Sequence, residues 1–144
     1  MKGYSSHIAI IGAGISGLTL GCVLKESGVP VIIFEKSSTA SEQGAGISIS
    51  PNGLRVIRNI GIEKELRNES GNPKKVQFFY KQNKLTSFPV DIVTTSRQCL
   101  YKNLLNKYFS LGGEVLFDHE VSGINLIDPS ISFTNGNSFN VNHI

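Results

Sequence analysis

Three glycines, Gly12, Gly14 and Gly17, separate a β-branched run at residues 7–11 from a second apolar stretch that continues to Leu24. A short aliphatic run ended by glycine is the pattern of a strand buried on both faces. Beyond the glycines, Ile15, Leu18 and Cys22 recur at helical spacing with Leu24 nearby, until Gly28 and Pro30 stop the helix. Residues 31–34, Val-Ile-Ile-Phe, read as a second buried strand. Strand, tight turn, helix and strand make a βαβ unit, with its two strands parallel. The same order excludes a membrane span, which needs about 20 predominantly apolar residues. Here glycines interrupt the run, and Lys25 and Glu26 close it. A signal peptide is disfavoured for the same reason, and Lys2 alone is a weak basic n-region.

Residues Gly12-Ala13-Gly14-Ile15-Ser16-Gly17 spell G-x-G-x-x-G. Gly12 permits the turn out of the strand, Gly14 lets backbone approach a pyrophosphate, and Gly17 lets helix and strand pack closely. A phosphate would sit on the helix N-terminus, where free N–H groups and the positive end of the dipole attract anions. Glycine turns also occur for packing alone, so the motif depends on context. Glu35 supplies that context, because it directly follows the second strand, at the spacing of about 20 residues expected of a ribose-binding acid. Its carboxylate can accept bonds from both adenosine ribose hydroxyls and would repel a 2′-phosphate. The ligand class is therefore FAD or NAD rather than NADP, and these first residues do not separate the two. The plainer alternative is that Glu35 merely ends a strand at the solvent.

Residues 36–50, rich in Ser, Thr and Gly, read as a long loop. Ser50 as N-cap and Pro51 at the first helical position open a helix with Leu54, Ile57 and Ile60 on its apolar stripe, ended by Gly61. Residues 75–94 suggest antiparallel strands of another sheet, with Phe78, Phe79 and Tyr80 in its core. A helix capped by Ser96 is expected from Arg97 to Leu111, stopped by Gly112 and Gly113, then a third parallel strand over 114–117. The remainder resembles a meander with Asn135-Gly136 as a hairpin turn. The fold expected is α/β: a Rossmann-like βαβ with a parallel sheet, plus antiparallel strands of a partial second domain and a β-meander. The domain ranges are 1–72, 73–94 and 95–144. Doubly wound sheets carry five or six parallel strands, whereas three are read here, and the sequence stops where another would start.

Composition narrows the partners. The net charge of +3 comes from 14 basic and 11 acidic side chains without a basic run, so nucleic acid is a poor expectation. Cys22 and Cys99 lack a paired spacing and suggest buried, reduced thiols in a cytoplasmic protein. His7, His119 and His143 are scattered, no metal set is present, and Arg55 and Arg58 read as a solvated helix face. Arg97 differs, because it occupies a first helical turn, where the dipole disfavours a cation by about 0.3–1 kcal/mol. It also shares the face of Leu100 and Leu104, which calls for an anionic partner.

Three segments carry a resemblance: "IAIIGAGISGLTLGCVLKESGVPVIIFEKS", then "GAGISISPNGLRVIRNIGI", then "TSRQCLYKNLL". In this order they resemble the N-terminal segments of the class A flavoprotein monooxygenases, the FAD-dependent hydroxylases that include salicylate, p-hydroxybenzoate and tetracycline-modifying enzymes. The second segment, Gly44 to Ile62, favours this family over an NAD-binding dehydrogenase module. The resemblance implies that Gly12, Ala13, Gly14, Ile15, Ser16 and Gly17 hold the FAD pyrophosphate, with Glu35 on the ribose. Gly46 and Ile47 would line the flavin region, and Arg97 would contact FAD. Lys36 stands where many relatives carry arginine, which keeps the charge but not the planar stacking surface.

The implied activity is hydroxylation of a small, aromatic substrate, with NAD(P)H as transient reductant and no general base identified in this chain. Two later motifs of the family, an Asp-Gly and a Gly-Asp segment, are absent. The chain is thus expected to be an N-terminal portion, either of the enzyme, of a non-catalytic remnant, or of a split protein with a complementary C-terminal chain.

Overall fold

The computed structural model describes residues 3–40 and 44–144 of the chain. Along the sequence lie β1 (Tyr4–Ile11), α1 (Ile15–Glu26), β2 (Val31–Phe34), β3 (Gly46–Ile49), α2 (Pro51–Asn59), α3 (Glu63–Asn68), β4 (Lys75–Tyr80), β5 (Asn83–Pro89) and β6 (Val93–Ser96). They are followed by α4 (Arg97–Ser110), β7 (Glu114–Leu116), β8 (Val121–Asn125), β9 (Ser130–Phe133) and β10 (Ser138–His143). Two compact units result: one takes Met1–Glu42 and Leu104–Ile144, the other Gln43–Asn103, the division falling within α4.

The first unit is built on a six-stranded sheet in the order β7-β2-β1-β10-β9-β8. β1 and β2 run parallel with Ile8 opposite Val31 and Ile11 opposite Phe34, as the βαβ pattern requires. β7 adds on the far side of β2, also parallel. The expectation of three parallel strands is corrected by β10, which pairs parallel with β1, setting Tyr4 opposite Val141. The Asn-Gly turn is present, with Gly136 N donating to the Phe133 carbonyl, but its second strand does not stay within a separate meander. β10 is antiparallel to β9 and parallel to β1 at once, so the meander continues the parallel sheet.

One face of this sheet buries Tyr4, Ala9, Ile32, Phe34, Ile131, Phe133 and Val141 in a common cluster. Removing a ring such as Phe34 from water contributes about 1.5–3 kcal/mol. α1 packs on β1 and β2 and buries Leu18, Gly21 and Cys22. Tyr108 of α4 is fully buried, and its hydroxyl donates to the carbonyls of Val31 and Glu114, each at 3.3 Å.

In the second unit β3 and β6 form an antiparallel ribbon with Ile47 opposite Thr95 and Ile49 opposite Val93. The loop expected over 36–50 is therefore shortened by a strand that glycine and serine disguise; residues 41–43 of it lie outside the described residues. Ser50 caps α2 through Gly53 N at 3.4 Å, and Pro51 opens it. Gly61, at φ 75°, leads into α3, which sequence periodicity misses because only Leu66 of its six residues is buried.

β4 and β5 form a hairpin of their own. The aromatic core expected there is corrected: Phe78, Phe79 and Tyr80 are 50%, 57% and 62% exposed. A two-stranded ribbon has no third layer to cover it, and across the pair Phe78 stands opposite Thr86 and stacks on Phe88, ring centroids 5.9 Å apart.

Candidate functional site

At the end of β1 the chain turns at Gly12, whose φ of 98° only glycine adopts without strain. Gly12 N donates to the Phe34 carbonyl at 2.7 Å, which closes the turn against β2. Ala13, 2% exposed, then directs its N–H to Glu35 Oε2 at 2.7 Å. Ser37 N donates to Glu35 Oε1 at 2.9 Å, so each carboxylate oxygen holds one backbone donor. The Glu35 backbone is fixed as well: its N–H donates to Leu116 O, and its carbonyl accepts from His119 N, both at 2.9 Å. Partial burial pushes the Glu35 carboxyl up, but the N–H bonds from Ser37 and Ala13, with Lys36 nearby, outweigh it. The net result lies below the usual carboxylate range.

Helix α1 starts at Ile15 after Gly14, which offers no side-chain cap, and its first turn holds no acidic residue. The first N–H groups of a helix lack intrahelical partners, so Ile15, Ser16 and Gly17 direct theirs outward from the positive end of the helix dipole. A Cβ at Gly12 or Gly14 would meet nothing within 4 Å, which leaves the backbone open to a ligand. Gly17 is the opposite case, since a Cβ there would collide with the Gly12 carbonyl oxygen.

This donor set fits a pyrophosphate. The unused lone pairs of Glu35 fit neighbouring hydroxyls, because a carboxylate has about four acceptor sites. The structure thus brings Gly12, Ala13, Gly14, Ile15, Ser16, Gly17 and Glu35 to one place in the first unit, with Lys36 exposed beside them.

The other predicted residues belong to the second unit. Gly46 is opposite Ser96 and Ile47 opposite Thr95 on the β3–β6 ribbon, and Arg97 follows at the first position of α4. Ser96 caps that helix through Cys99 N at 3.0 Å. Arg97 is half-buried, and a Cβ at Gly44 would come within 2.5 Å of its Cδ, so glycine there makes room for the arginine. Gly46, Ile47 and Arg97 therefore share one end of the ribbon.

Sequence reasoning missed the part Ser37 plays, although a serine two residues after an acid is a recognisable local acceptor–donor pair. It also missed Ser70 and Thr95, whose buried hydroxyl oxygens make no hydrogen bond. Among the described residues there is no group of three or more metal-ligating side chains, and no helix is long and apolar enough to cross a membrane.

A family profile described as "FAD binding domain" matches residues 5–128. FAD-dependent monooxygenase pytG of Aspergillus terreus is 45% identical over 60 residues, 42% of this chain and 18% of that protein. The 6-hydroxynicotinate 3-monooxygenase of Pseudomonas fluorescens is 36% identical over 69 residues, 48% of this chain and 18% of that protein. Among solved structures, a variant of 2-methyl-3-hydroxypyridine-5-carboxylic acid oxygenase superposes with a TM-score of 0.85 at 24% identity, covering 95% of this chain and 38% of that one. The chain thus spans less than two fifths of the length of these proteins, and the superposition shows a shared fold.

Proposed function

The chain belongs to the FAD binding domain family, and on that premise we propose that it forms the dinucleotide-holding part of an NAD(P)H-dependent monooxygenase acting on a small, aromatic substrate. The observation that carries this reading is the Glu35 carboxylate, tied at 2.7 Å to the N–H of Ala13 inside the glycine turn. That bond sets a hydroxyl-accepting acid beside an anion-accepting backbone, and an adenosine diphosphate moiety asks for the two together. The dehydrogenase alternative is set aside by the family. The aromatic substrate class is supported by the names of the relatives, which act on hydroxylated pyridine and nicotinate rings.

In this reading the N–H groups of Ile15, Ser16 and Gly17 hold the pyrophosphate, and Gly12 and Gly14 leave room for it. Glu35 accepts from the ribose, while Gly46 and Ile47 line the flavin and Arg97 offsets negative charge on the cofactor. The chemistry that FAD supplies when bound is acceptance of hydride and activation of dioxygen. The chain's own residues bind, orient and exclude water. A reducing, cytoplasmic setting goes with this, since Cys22 and Cys99 are free thiols. The substrate and any complementary C-terminal chain would complete the site.

The test is the visible absorbance of the purified chain after incubation with excess FAD and desalting. Retained flavin bands near one per chain are expected. A colourless protein would leave the family standing and overturn the proposal that this chain alone holds the cofactor.

A further inference from the structure

Between β7 and β8 the chain turns sharply at residues 117–119, and this turn lies against the segment that carries Glu35. Asp118 N donates to Ser37 O at 3.1 Å, and His119 N donates to Glu35 O at 2.9 Å. Asp118 sits at φ 55°, in the left-handed region. A non-glycine residue stays there only where the surrounding bonds over-determine it.

His119 supplies much of that determination. Its Nδ1 lies 2.6 Å from the Phe117 carbonyl oxygen, which can only accept, so the ring proton is on Nδ1. Its Nε2, 3.2 Å from the Asn137 side-chain nitrogen, then accepts from that amide. The neutral ring is thus committed at both ends: one closes the 117–119 turn on itself, the other ties it to the β9–β10 turn. Asn135 of the same turn adds a bond from Nδ2 to the Asp118 carbonyl at 2.6 Å. The ring also packs on Phe133, centroids 4.9 Å apart, and on Phe34 and Phe139 at 5.9 Å each. Phe34 immediately precedes Glu35, so His119 meets the acid's segment through its side chain as well as its backbone.

We propose that His119 is a positioning residue for Glu35. Its ring, supported by Asn137, fixes the 117–119 turn, and that turn holds residues 35–37 in the arrangement that aims the carboxylate at the Ala13 N–H. The segment is then pinned from two sides, by the glycine turn through the Glu35 carboxylate and by the 117–119 turn through the Glu35 and Ser37 carbonyls. His119 needs no contact with a ligand to do this. The consequence for a nucleotide, selection of its ribose hydroxyls, rests on the dinucleotide reading above, whereas the clamp stands on bonds made without ligand.

Native-state hydrogen exchange of the ligand-free chain tests the clamp. His119→Leu keeps an apolar side chain against Phe34 and Phe133 but loses both ring bonds. The Ala13 and Ser37 amides should then exchange at least tenfold faster, with Ile33 in the middle of β2 unchanged. His119→Asn, whose amide nitrogen can replace Nδ1 as donor to Phe117 O, should restore most of the protection. Asn137→Ala is an exposed substitution that leaves the ring in place and removes only the Nε2 partner. It should accelerate the same two amides at least threefold, and it carries the test if His119→Leu fails to fold. Isothermal titration of the same variants with ADP and 2′-deoxy-ADP reads the consequence. The native chain should favour ADP at least fivefold, His119→Leu should cut that preference below twofold, and His119→Asn should recover it.

Unchanged exchange at Ala13 and Ser37 in both His119→Leu and Asn137→Ala, or equal acceleration at Ile33, would overturn the proposal. An affinity loss shared equally by the two nucleotides would overturn it too, since His119 would then serve the fold alone. Faster exchange at the two amides in a chain that binds neither nucleotide, or both alike, would remove the ribose-binding reading and spare the positioning role. A preference for ADP that persists in every variant would do the reverse.

Discussion

The backbone N–H of Ala13 and the Oε2 of Glu35 meet at 2.7 Å across 22 residues of sequence. The acid that follows β2 is therefore already aimed by the turn that follows β1, and no ligand is needed to place it. Glu35→Gln keeps one acceptor oxygen but replaces the second with an amide nitrogen, which cannot accept from whichever of the Ala13 and Ser37 N–H groups it faces. Hydrogen bonds to charged groups contribute about 1.5–3 kcal/mol, so a loss of about 1–2 kcal/mol in stability is expected. Flavin titration should show affinity at least tenfold weaker, and thermal unfolding reads the first effect independently.

The same carboxyl gives a pH dependence of known sign. Glu35 is held below its ordinary value of 4.5 in the folded state, so the unfolded chain takes up its proton first as pH falls. Its contribution is present above the ordinary value and disappears as pH drops through the folded one. Urea unfolding at pH 7, 5, 4 and 3 should show the stability gap between the native protein and Glu35→Gln shrinking across the last steps. A gap that stays constant would remove the linkage.

Gly17→Ala places a methyl group on the Gly12 carbonyl oxygen, which is backbone and cannot rotate away. The helix must lift from β1, and forced overpacking of this kind costs about 1–3 kcal/mol. Gly14→Ala meets nothing within 4 Å and should fold normally. Both should lose flavin, the first with a lowered melting temperature and the second without.

Gly113 and Gly21 each make room for the Tyr108 ring; a Cβ at Gly113 would stand 2.5 Å from the ring edge and one at Gly21 2.9 Å. Gly113→Ala should therefore destabilise by about 1–3 kcal/mol in differential scanning calorimetry, and Tyr108→Phe by about 1 kcal/mol through its lost hydrogen bonds. Neither residue touches the glycine turn, so flavin binding by the folded fraction should be unchanged.

The two thiols should separate under labelling. Cys22 is fully buried, its S–H donates to Leu104 O at 3.6 Å, and burial pushes the thiol up to about 11. Cys99 is half-buried. Maleimide at pH 7.5 should modify Cys99 within minutes, whereas Cys22 reacts only on unfolding, as peptide mapping would show.

The first half of the βαβ unit was legible because buried parallel strands and a glycine turn have local signatures: apolar runs, Gly12, and an acid at the right distance. The caps at Ser50 and Ser96 were legible for the same reason. β3 was hidden because Gly46 and Ser48 are poor strand formers, and pairing with β6 overrides that preference. β10 could be seen as a strand, but nothing local says that it inserts beside β1. The exposed rings of β4 show the complementary failure, where apolar composition implied a covering layer that the hairpin does not have. In the candidate site the residue types were readable and the mutual bonds of Ala13, Glu35 and Ser37 were not, since these depend on how two strand ends meet.

Tyr4 lies opposite Val141 and Ile8 opposite His143, so β1 takes a partner from far along the sequence. Until that partner is made β1 has one free edge, and the cluster containing Tyr4, Ile131 and Val141 is incomplete. Contacts of such long sequence separation slow folding, because the loop must be closed before they reward it. The nascent chain therefore has to keep an aliphatic edge out of intermolecular pairing until β10 has been made. A chaperone that shields residues 4–11 during translation should raise the yield of folded protein more than one acting after release.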